Sequence, residues 1–319
     1  MSVLVSLRPI PYLRSYKFKK IMEDLEKIHF TGTIWRPPYE AYSVLLQATV
    51  GCSHHACKFC SLYGGLRFRL APREEIESDL RIIAKYQPRA RRLFLVGANP
   101  FVVSYGRMVR LLDLIRDHLP KVQTVGMFAR ITDIRTKTDE ELSDLRARGV
   151  TGISIGTETG DDPTLAFMNK GTTAREIEEQ CRRLDAAGIE YYFTYMTGLA
   201  GAGNGRRAAQ ATAELFNRLH PRIVSVVSLT VFSDSPLWGE VQSGRFVEMP
   251  ELERLDEQRT LIARLKIPVA WMANTISNAV PQSGRLPEDR SRLIRELEAG
   301  AGRHTEAGLA AWRRSIGHL

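Results

Sequence analysis

The stretch Cys52-Ser53-His54-His55-Ala56-Cys57-Lys58-Phe59-Cys60 places three cysteines within one short segment. The chain of 319 residues contains four cysteines, and the fourth, Cys181, stands alone. Secreted disulfide-bonded proteins do not cluster cysteines in this way, whereas such a cluster in a reducing compartment indicates a metal site or catalysis. We therefore treat Cys52, Cys57 and Cys60 as candidate ligands of one metal centre.

The number of ligands bears on the kind of metal centre. Thiolates are soft ligands that suit zinc and iron–sulfur clusters. A structural zinc needs four protein ligands, and the candidates for a fourth are His54, His55 and the distant Cys181. Neither histidine has the spacing of a zinc finger. Three thiolates without an obvious fourth ligand favour a cluster with one open iron, and zinc remains the alternative.

Around this stretch, short apolar runs rich in β-branched and aromatic residues alternate with longer helical patterns. Thr138 and Glu141 form a capping-box pair at one helix start, and Gly188 ends another helix. The predicted strands are Tyr42–Val50, Arg92–Val96, Gln123–Phe128, Gly152–Gly156, Tyr191–Met196 and Ile223–Phe232. The predicted helices between them are Arg73–Tyr86, Gly106–His118, one from Thr138, Thr173–Ala187 and Arg206–Leu219.

This alternation predicts an α/β fold with a parallel sheet. Six units are too few for a closed barrel of eight, so we predict a partial (β/α)6 TIM-like barrel. A doubly wound sheet is the alternative; the barrel is favoured because the notable residues follow strands, where barrels build their active sites. The predicted domains are an N-terminal helical extension (1–40, helix from Ser15 to Ile28), the barrel (41–235) and a C-terminal extension (236–319). The last contains helical patterns at Leu252–Leu265 and Glu288–Glu298 and a candidate strand at Val269–Ala273.

Composition and charge limit the classes of protein. Hydrophobic residues make up 44% and charged residues 25%, as in globular proteins. The net charge is +9, but the basic residues are scattered, which favours solvated faces over a nucleic-acid site. No apolar run reaches the ~18 residues of a transmembrane helix. The apolar start, Met1 to Arg8, is too short for a signal peptide, so the predicted location is the cytoplasm.

The cysteine stretch resembles the signature of the radical S-adenosylmethionine (SAM) superfamily. That signature has three cysteines spaced C-x3-C-x2-C after the first strand of a partial barrel, with an aromatic residue before the last cysteine. Phe59 occupies the aromatic position. This chain departs from the pattern by one residue, because four residues separate Cys52 from Cys57.

Further segments extend the resemblance over about residues 40 to 235, to a branch that includes porphyrinogen oxidases and tRNA-modifying enzymes. Gly97-Ala98-Asn99-Pro100 follows the second strand, where family members contact the methionine part of SAM. Gly156-Thr157-Glu158-Thr159-Gly160 is similar to a Gly-x-Glu-Ser/Thr-Gly segment of the branch. Thr197-Gly198-Leu199-Ala200-Gly201 is similar to the turn beside the adenine, and Phe167-Met168-Asn169-Lys170-Gly171 to another common stretch.

The resemblance assigns site residues, each with a structural alternative. It implies that Cys52, Cys57 and Cys60 bind the cluster and that SAM is contacted by Phe59, Gly97, Ala98, Asn99, Arg130, Glu158 and Gly198. Glu158 would pair with the SAM ammonium or a ribose hydroxyl, or else cap a turn. Arg130 would meet a carboxylate, or else form a structural pair. Asn99 is alternatively a turn residue.

Several residues have no assigned chemistry. His54 and His55 are interpreted as loop residues, with a proton donor as the alternative. In the fifth predicted strand, Tyr191, Phe193 and Tyr195 share one face, and Tyr192, Thr194 and Met196 share the other. One of these faces points into the barrel. Packing is favoured there over a relay of radicals or protons.

The resemblance implies an enzyme, an oxidoreductase or transferase, that uses a [4Fe–4S] cluster and SAM. A reductant such as flavodoxin or ferredoxin delivers an electron, and SAM is cleaved to methionine and a 5′-deoxyadenosyl radical that abstracts a substrate hydrogen. The substrate is unidentified and is predicted to be a small molecule, with nucleic acid left open and no membrane partner. The three clustered cysteines argue against a second cluster. Two alternatives remain: a cluster-bearing carrier or chaperone of the same fold, and a zinc-stabilised binding module.

Overall fold

A computed structural model describes residues 16–317 of the chain. Ser15, where the N-terminal helix is predicted to begin, and the apolar start Met1 to Arg8 lie outside the described residues. The described helix α1 spans Tyr16–Leu25 and ends three residues before the predicted Ile28. Within residues 16–317, no helix has the length and apolar character needed to cross a bilayer.

The main sheet follows the order of the chain. Its sequence of strands is β1-β4-β5-β6-β7-β8-β9-β10, while β2 and β3 form a separate antiparallel pair. Neighbours from β1 to β9 are parallel, and β10 pairs antiparallel with β9. The strands are β1 (Val44–Gln47), β2 (Thr49–Val50), β3 (Arg69–Leu70), β4 (Arg92–Val96), β5 (Thr124–Ala129), β6 (Val150–Glu158), β7 (Tyr191–Thr197), β8 (Ile223–Ser228), β9 (Val269–Ala273) and β10 (Gln282–Leu286).

Helices return the chain between parallel strands, as a parallel connection requires. The helices are α1 (Tyr16–Leu25), α2 (Arg73–Tyr86), α3 (Tyr105–His118), α4 (Ile131–Arg135), α5 (Asp139–Ala147), α6 (Asp162–Phe167), α7 (Ala174–Ala187), α8 (Gly205–Phe216), α9 (Pro236–Gln242), α10 (Glu251–Arg264), α11 (Arg290–Arg303) and α12 (Glu306–Arg314). Short 3-10 helices occupy Pro38–Glu40 and Pro100–Val102.

Local sequence signals explain where several of these helices begin and end. The Thr138 hydroxyl accepts from Glu141 N at 3.2 Å, and the Glu141 carboxylate accepts from Thr138 N at 3.0 Å, so the predicted capping box is confirmed. Helix α7 ends at Gly188, whose φ of 69° is in the left-handed region that glycine adopts without strain.

The predicted partial barrel is confirmed, and the parallel sheet extends beyond the six predicted units. The candidate strand at Val269–Ala273 is β9 and pairs parallel with β8. Strand β10 was not predicted, because Gln282-Ser-Gly-Arg-Leu286 has no apolar alternation. Strands β1 and β10 are the two edges of the sheet, so the barrel stays open between them.

The side chains of strand β7 alternate between the two faces of the sheet. Tyr191, Phe193 and Tyr195 are buried on the helix side, where the Phe193 ring lies 4.6 Å from that of Phe216 in α8. Tyr192, Thr194 and Met196 are half-buried on the other side, which we call the lumen. The two tyrosines of the helix side therefore pack in the core, and Tyr192 is the strand's tyrosine on the lumen side, for which packing or a relay was considered.

Side-chain contacts near the amino ends of the strands close one end of the lumen. Arg92, the first residue of β4, donates from Nε to the Glu40 carboxylate at 2.8 Å. Tyr39 donates to or accepts from the Ser154 hydroxyl at 3.0 Å, and its ring lies 4.9 Å from that of Tyr192. The open part of the lumen therefore lies toward the carboxyl ends of the strands.

The C-terminal segment packs against the sheet and α8. Helix α10 lies against α8, and α12 contributes Arg313, whose guanidinium donates to both carboxylate oxygens of Glu251 at 2.7 Å. Both side chains are buried. Breaking such a buried pair leaves an uncompensated charge, so this contact joins the end of the described chain to α10.

Candidate cofactor site

The three clustered cysteines lie in a loop with a closed base. Strands β2 and β3 pair antiparallel, with Thr49 opposite Leu70, so the residues between them leave the sheet and return to it. Gly51 begins this loop with a φ of 70°, and a Cβ there would lie 2.8 Å from the Leu66 carbonyl oxygen. The base of the loop therefore requires glycine, and the cysteines follow β1 at the carboxyl edge of the sheet.

All three thiols of this loop are free and partly buried. Burial raises the pKa of Cys57, and it raises the pKa of Cys60 to about 11. In the part of the chain that the structure describes, no three His, Cys, Asp or Glu side chains adopt a metal-binding arrangement. The assignment of Cys52, Cys57 and Cys60 as ligands therefore rests on residue type, spacing and location.

The segment after α6 holds the cysteine loop from one side. Lys58 N donates to Met168 O at 3.0 Å, and Asn169 Nδ2 donates to Ala56 O at 3.0 Å. His54 donates from Nε2 to Asn169 O at 2.7 Å, and burial lowers the pKa of His54, which favours this neutral ring. His54 is thus a loop-holding residue in this structure, as the sequence favoured.

Asn99 joins the loop to the next two strand ends. Its Oδ1 accepts from Ser53 N at 3.2 Å, and its Nδ2 donates to the Ser53 hydroxyl at 2.7 Å and to Asp133 at 3.0 Å. Asp133 in turn accepts from Arg130 N at 2.8 Å. Asn99 is fully buried and uses its amide within the chain, so it positions the loop. Ala98 beside it is half-buried.

Glu158 carries the most unusual geometry of the site. Its Oε1 accepts from Lys170 Nζ at 2.9 Å, while its buried Oε2 has no hydrogen-bond partner. Burial opposes the charged form of Lys170, but Glu158 and Cys57 hold its pKa above the usual value. A Cβ on Gly156 would lie 2.5 Å from Glu158 Oε1, so this glycine makes room for the pair. An orphaned carboxylate oxygen in a buried place calls for a donor that the chain does not supply.

Backbone strain is concentrated at the same place. Among residues 16–317, the non-glycine residues with positive φ are His55 at 50°, Glu158 at 64° and Asn169 at 53°. Two of them belong to the segments that contact each other across the cysteine loop, and the third carries the orphaned oxygen. Such conformations persist where surrounding contacts enforce them and are typical of functional sites.

The remaining predicted residues occupy defined positions nearby. Phe59 is half-buried, and Lys170 Nζ lies 5.6 Å from its ring centre. Arg130 donates from a terminal nitrogen to Lys170 O, a backbone oxygen, at 2.9 Å. Gly97 has a φ of 120°, and a Cβ there would collide with the carbonyl and hydroxyl oxygens of Thr49. Packing inside the chain already explains this glycine.

Helix α10 holds the turn after β7. Gly198 N donates to Glu257 at 2.7 Å, and the Tyr195 hydroxyl donates to the same carboxylate at 2.6 Å. A Cβ on Gly198 would lie 2.8 Å from the guanidinium carbon of Arg254. Sequence reasoning missed Glu257, Arg254, Asp133 and the role of Lys170. The contact of Glu257 with Gly198 joins residues 59 positions apart, and that of Asp133 with Asn99 joins residues 34 positions apart.

The buried Glu257 carboxyl predicts a pH dependence of stability. Burial raises its pKa from 4.5 to about 7. Between these values the folded state binds more protons than the unfolded state, so the free energy of unfolding falls as pH rises, by up to about 3 kcal/mol from this group. Glu257→Gln keeps an acceptor for Gly198 N and a donor for the Tyr195 oxygen, so this part of the dependence should disappear. Denaturant titrations of both proteins across that pH window measure it, and equal pH profiles would contradict the assignment.

Comparison with known proteins gives the family. Residues 46–210 match the family model of the radical SAM superfamily. The ribosomal protein uS12 methylthiotransferase RimO of Caldanaerobacter subterraneus is 25% identical over 173 residues, 52% of this chain and 38% of RimO. The heme chaperone HemW of Bacillus subtilis is 22% identical over 219 residues, 66% of this chain and 57% of HemW. The chain thus spans less than two thirds of the length of these curated relatives.

A solved structure shows the same fold. The crystal structure of methylornithine synthase (PylB) superposes with a TM-score of 0.51 at 16% identity and covers 85% of each chain. The predicted family and the predicted cofactor classes, an iron–sulfur cluster and SAM, are confirmed by this membership. With half of its length matching the family model, and with three cysteines at the carboxyl edge of a partial barrel, the chain belongs to the radical SAM superfamily of enzymes.

Proposed function

We propose that this enzyme reductively cleaves SAM at a [4Fe–4S] cluster held by Cys52, Cys57 and Cys60, and that it removes a hydrogen atom from a substrate bound in the lumen. The bound cofactors supply a 5′-deoxyadenosyl radical for that hydrogen abstraction. The observation that carries the proposal is the orphaned Oε2 of Glu158, which lies buried beside Lys170 near the cysteine loop.

The donor set fits both cofactors. Three thiols on one loop are soft ligands for three irons, and the loop offers no fourth cysteine. The fourth iron is then left for SAM. The Glu158 oxygen is an acceptor without a donor, which suits the SAM ammonium or a ribose hydroxyl.

The other SAM contacts that the sequence predicted are kept as proposals. These proposed SAM neighbours are Phe59, Gly97, Ala98, Arg130 and Gly198. Asn99 is proposed as a SAM neighbour as well, and its amide also holds Ser53, the residue that follows Cys52. Cys57 and Cys60 must lose their protons on binding iron, which the iron itself favours.

The substrate is proposed to be a small molecule with an uncharged portion in the lumen. The half-buried lumen side chains of β7, at Tyr192, Thr194 and Met196, carry no charge. The proposed partner is a one-electron donor such as a flavodoxin or ferredoxin. The proposed domains are an N-terminal extension (1–40), the barrel (41–235) and a C-terminal extension (236–319).

The test is SAM cleavage by the whole protein. Protein purified without oxygen and reconstituted with iron and sulfide is reduced with dithionite and mixed with SAM, and 5′-deoxyadenosine is measured by chromatography. We expect 5′-deoxyadenosine from iron-loaded protein only. Bound zinc without iron, or an intact cluster that never cleaves SAM, would contradict the proposal.

Glu158→Gln should weaken SAM binding while the cluster stays intact. Glutamine keeps an acceptor for Lys170 but replaces Oε2 with an amide donor, so a SAM donor loses its partner. We expect SAM affinity to fall by about tenfold or more, the scale of a hydrogen bond to a charged group. Equilibrium dialysis with reconstituted protein gives the affinity, and iron content is the control. Unchanged affinity would leave Oε2 with no role in binding SAM.

A further inference from the structure

Residues 229–249, between β8 and α10, form a segment that lies against the cysteine loop; we call it the α9 segment. Its apolar side chains Leu229, Leu237 and Phe246 form a small cluster with Met168 and Leu199, and this cluster is separate from the main core. Phe59 packs against this cluster. The segment lies beyond residue 210, where the match to the family model ends.

One residue between two cysteines is held at three points. Lys58 N donates to Met168 O at 3.0 Å, and Lys58 O accepts from Leu237 N at 2.7 Å. The Lys58 ammonium donates to Glu240 at 2.8 Å and lies 4.3 Å from the centre of the Phe167 ring. Lys58 directly follows Cys57 and stands two residues before Cys60, so these contacts fix the turn between the two thiols.

The ion pair between Lys58 and Glu240 has a more exposed neighbour, Arg245. The Glu240 side chain is 14% exposed and also accepts from Arg245 Nε at 2.6 Å. Arg245 is 66% exposed and contacts Glu240 from the solvent side. Substitution of Arg245 therefore offers a matched control, because it removes a positive charge beside Glu240 and leaves the contacts of the cysteine loop unchanged.

We propose that Glu240 is a positioning residue for the iron–sulfur cluster: through Lys58 it fixes the Cys57–Cys60 turn and offsets the ammonium charge beside the cluster. This inference rests on the proposed function, because it takes Cys57 and Cys60 as cluster ligands. Outer groups that orient ligands and set local charge control both retention and reduction potential of a metal centre.

Two consequences follow from charge and from geometry. Reduction adds negative charge to the cluster, so an unpaired Lys58 ammonium favours the reduced state, and Glu240→Gln should raise the midpoint potential. Arg245→Gln removes a positive charge and should shift the potential slightly the other way, because exposed charges are screened. A loosened turn should also release iron faster and expose the thiols of the iron-free protein.

The experiment compares Glu240→Gln, Arg245→Gln, Glu240→Lys and the swapped pair Lys58→Glu with Glu240→Lys, all in the full chain. Iron release to a chelator, the midpoint potential from electron paramagnetic resonance, and the reaction of the iron-free protein with a thiol reagent are measured. Circular dichroism confirms folding. We expect iron release at least about threefold faster in Glu240→Gln, within the range of a partly exposed ion pair, and recovery in the swapped pair.

Two results would overturn the inference. A cluster-loaded Glu240→Gln protein with the potential, iron release and thiol reactivity of the wild type refutes the role of Glu240 alone. Equal changes in Glu240→Gln and Arg245→Gln would refute it as well, because the two substitutions should shift the potential in opposite directions. Wild-type protein that takes up no cluster refutes the proposed function, and this inference with it.

Discussion

Cys57→Ala is expected to lose the iron–sulfur cluster and all cleavage of SAM. The loop offers three thiolates for three irons, and the neighbouring His54 is engaged with Asn169 O and does not replace a lost thiol. With two thiolates left, two irons of the proposed cluster would lack a protein ligand, so we expect the cluster to be lost. Iron and sulfide content, visible absorbance and 5′-deoxyadenosine formation measure the loss.

Cys181→Ala is the matched control for this experiment. Cys181 is fully buried in α7 among apolar side chains, and burial raises its pKa well above the usual range. It behaves as a small apolar residue, so its removal should leave cluster and activity intact at a modest cost in stability. A Cys57→Ala protein that keeps full iron, or a Cys181→Ala protein that loses it, would show that the ligands are wrongly assigned.

Gly97→Ala should cause the largest loss of stability among single substitutions at the site. Residues with a Cβ rarely adopt a φ of 120°, and the added carbon would collide with the Thr49 carbonyl and hydroxyl oxygens. Strain and overpacking together should cost about 3 kcal/mol or more. Because Thr49 leads into the cysteine loop, the same substitution should reduce cluster loading. Denaturant unfolding and iron content test the two effects.

Gly203→Ala is the control that measures the cost of backbone strain without a steric collision. Gly203 has a φ of 78°, yet no atom lies within 4 Å of a Cβ placed there. Its replacement should therefore cost only the backbone strain, about 1 kcal/mol. If Gly97→Ala were no more destabilising than Gly203→Ala, the close contact with Thr49 would have no energetic weight.

The elements that the sequence predicted well are those with local causes. The boundaries of α2 at Arg73 and Tyr86 and of β4 at Arg92 and Val96 agree with the prediction. Helix α5 begins after Thr138, where the capping box lies within four residues of sequence. Such signals act between neighbours, so a single chain displays them directly.

The parts that were missed depend on partners far along the chain. Strand β10 has polar and small residues and becomes a strand only because β9 offers a free edge. Glu257 contacts Gly198 across 59 residues, and Glu240 contacts Lys58 across 182. The sequence does not show that a charged residue is buried unless the residue that pairs with it is already known.

In the candidate site, too, some residues could be predicted from the sequence and other features could not. Cys52, Cys57, Cys60 and Glu158 were singled out by residue type and position after strands. The orphaned oxygen of Glu158 was not foreseeable, because it depends on Lys170 engaging only one of the two carboxylate oxygens. Asn99 was predicted as a cofactor contact, and the sequence did not indicate that its amide also binds Ser53 and Asp133.

Because the strand order of the main sheet equals the chain order, the fold can be assembled in the direction of synthesis. Each new strand meets an edge that already exists, so the sheet grows as the polypeptide leaves the ribosome. The cysteine loop is made early, but Glu240 is made 182 residues after Lys58. At ~5–20 residues per second, this delay is on the order of ten to forty seconds, during which the nascent thiols lack their final support. The contact from Glu240 to the cysteine loop therefore becomes available only after most of the chain has been synthesised.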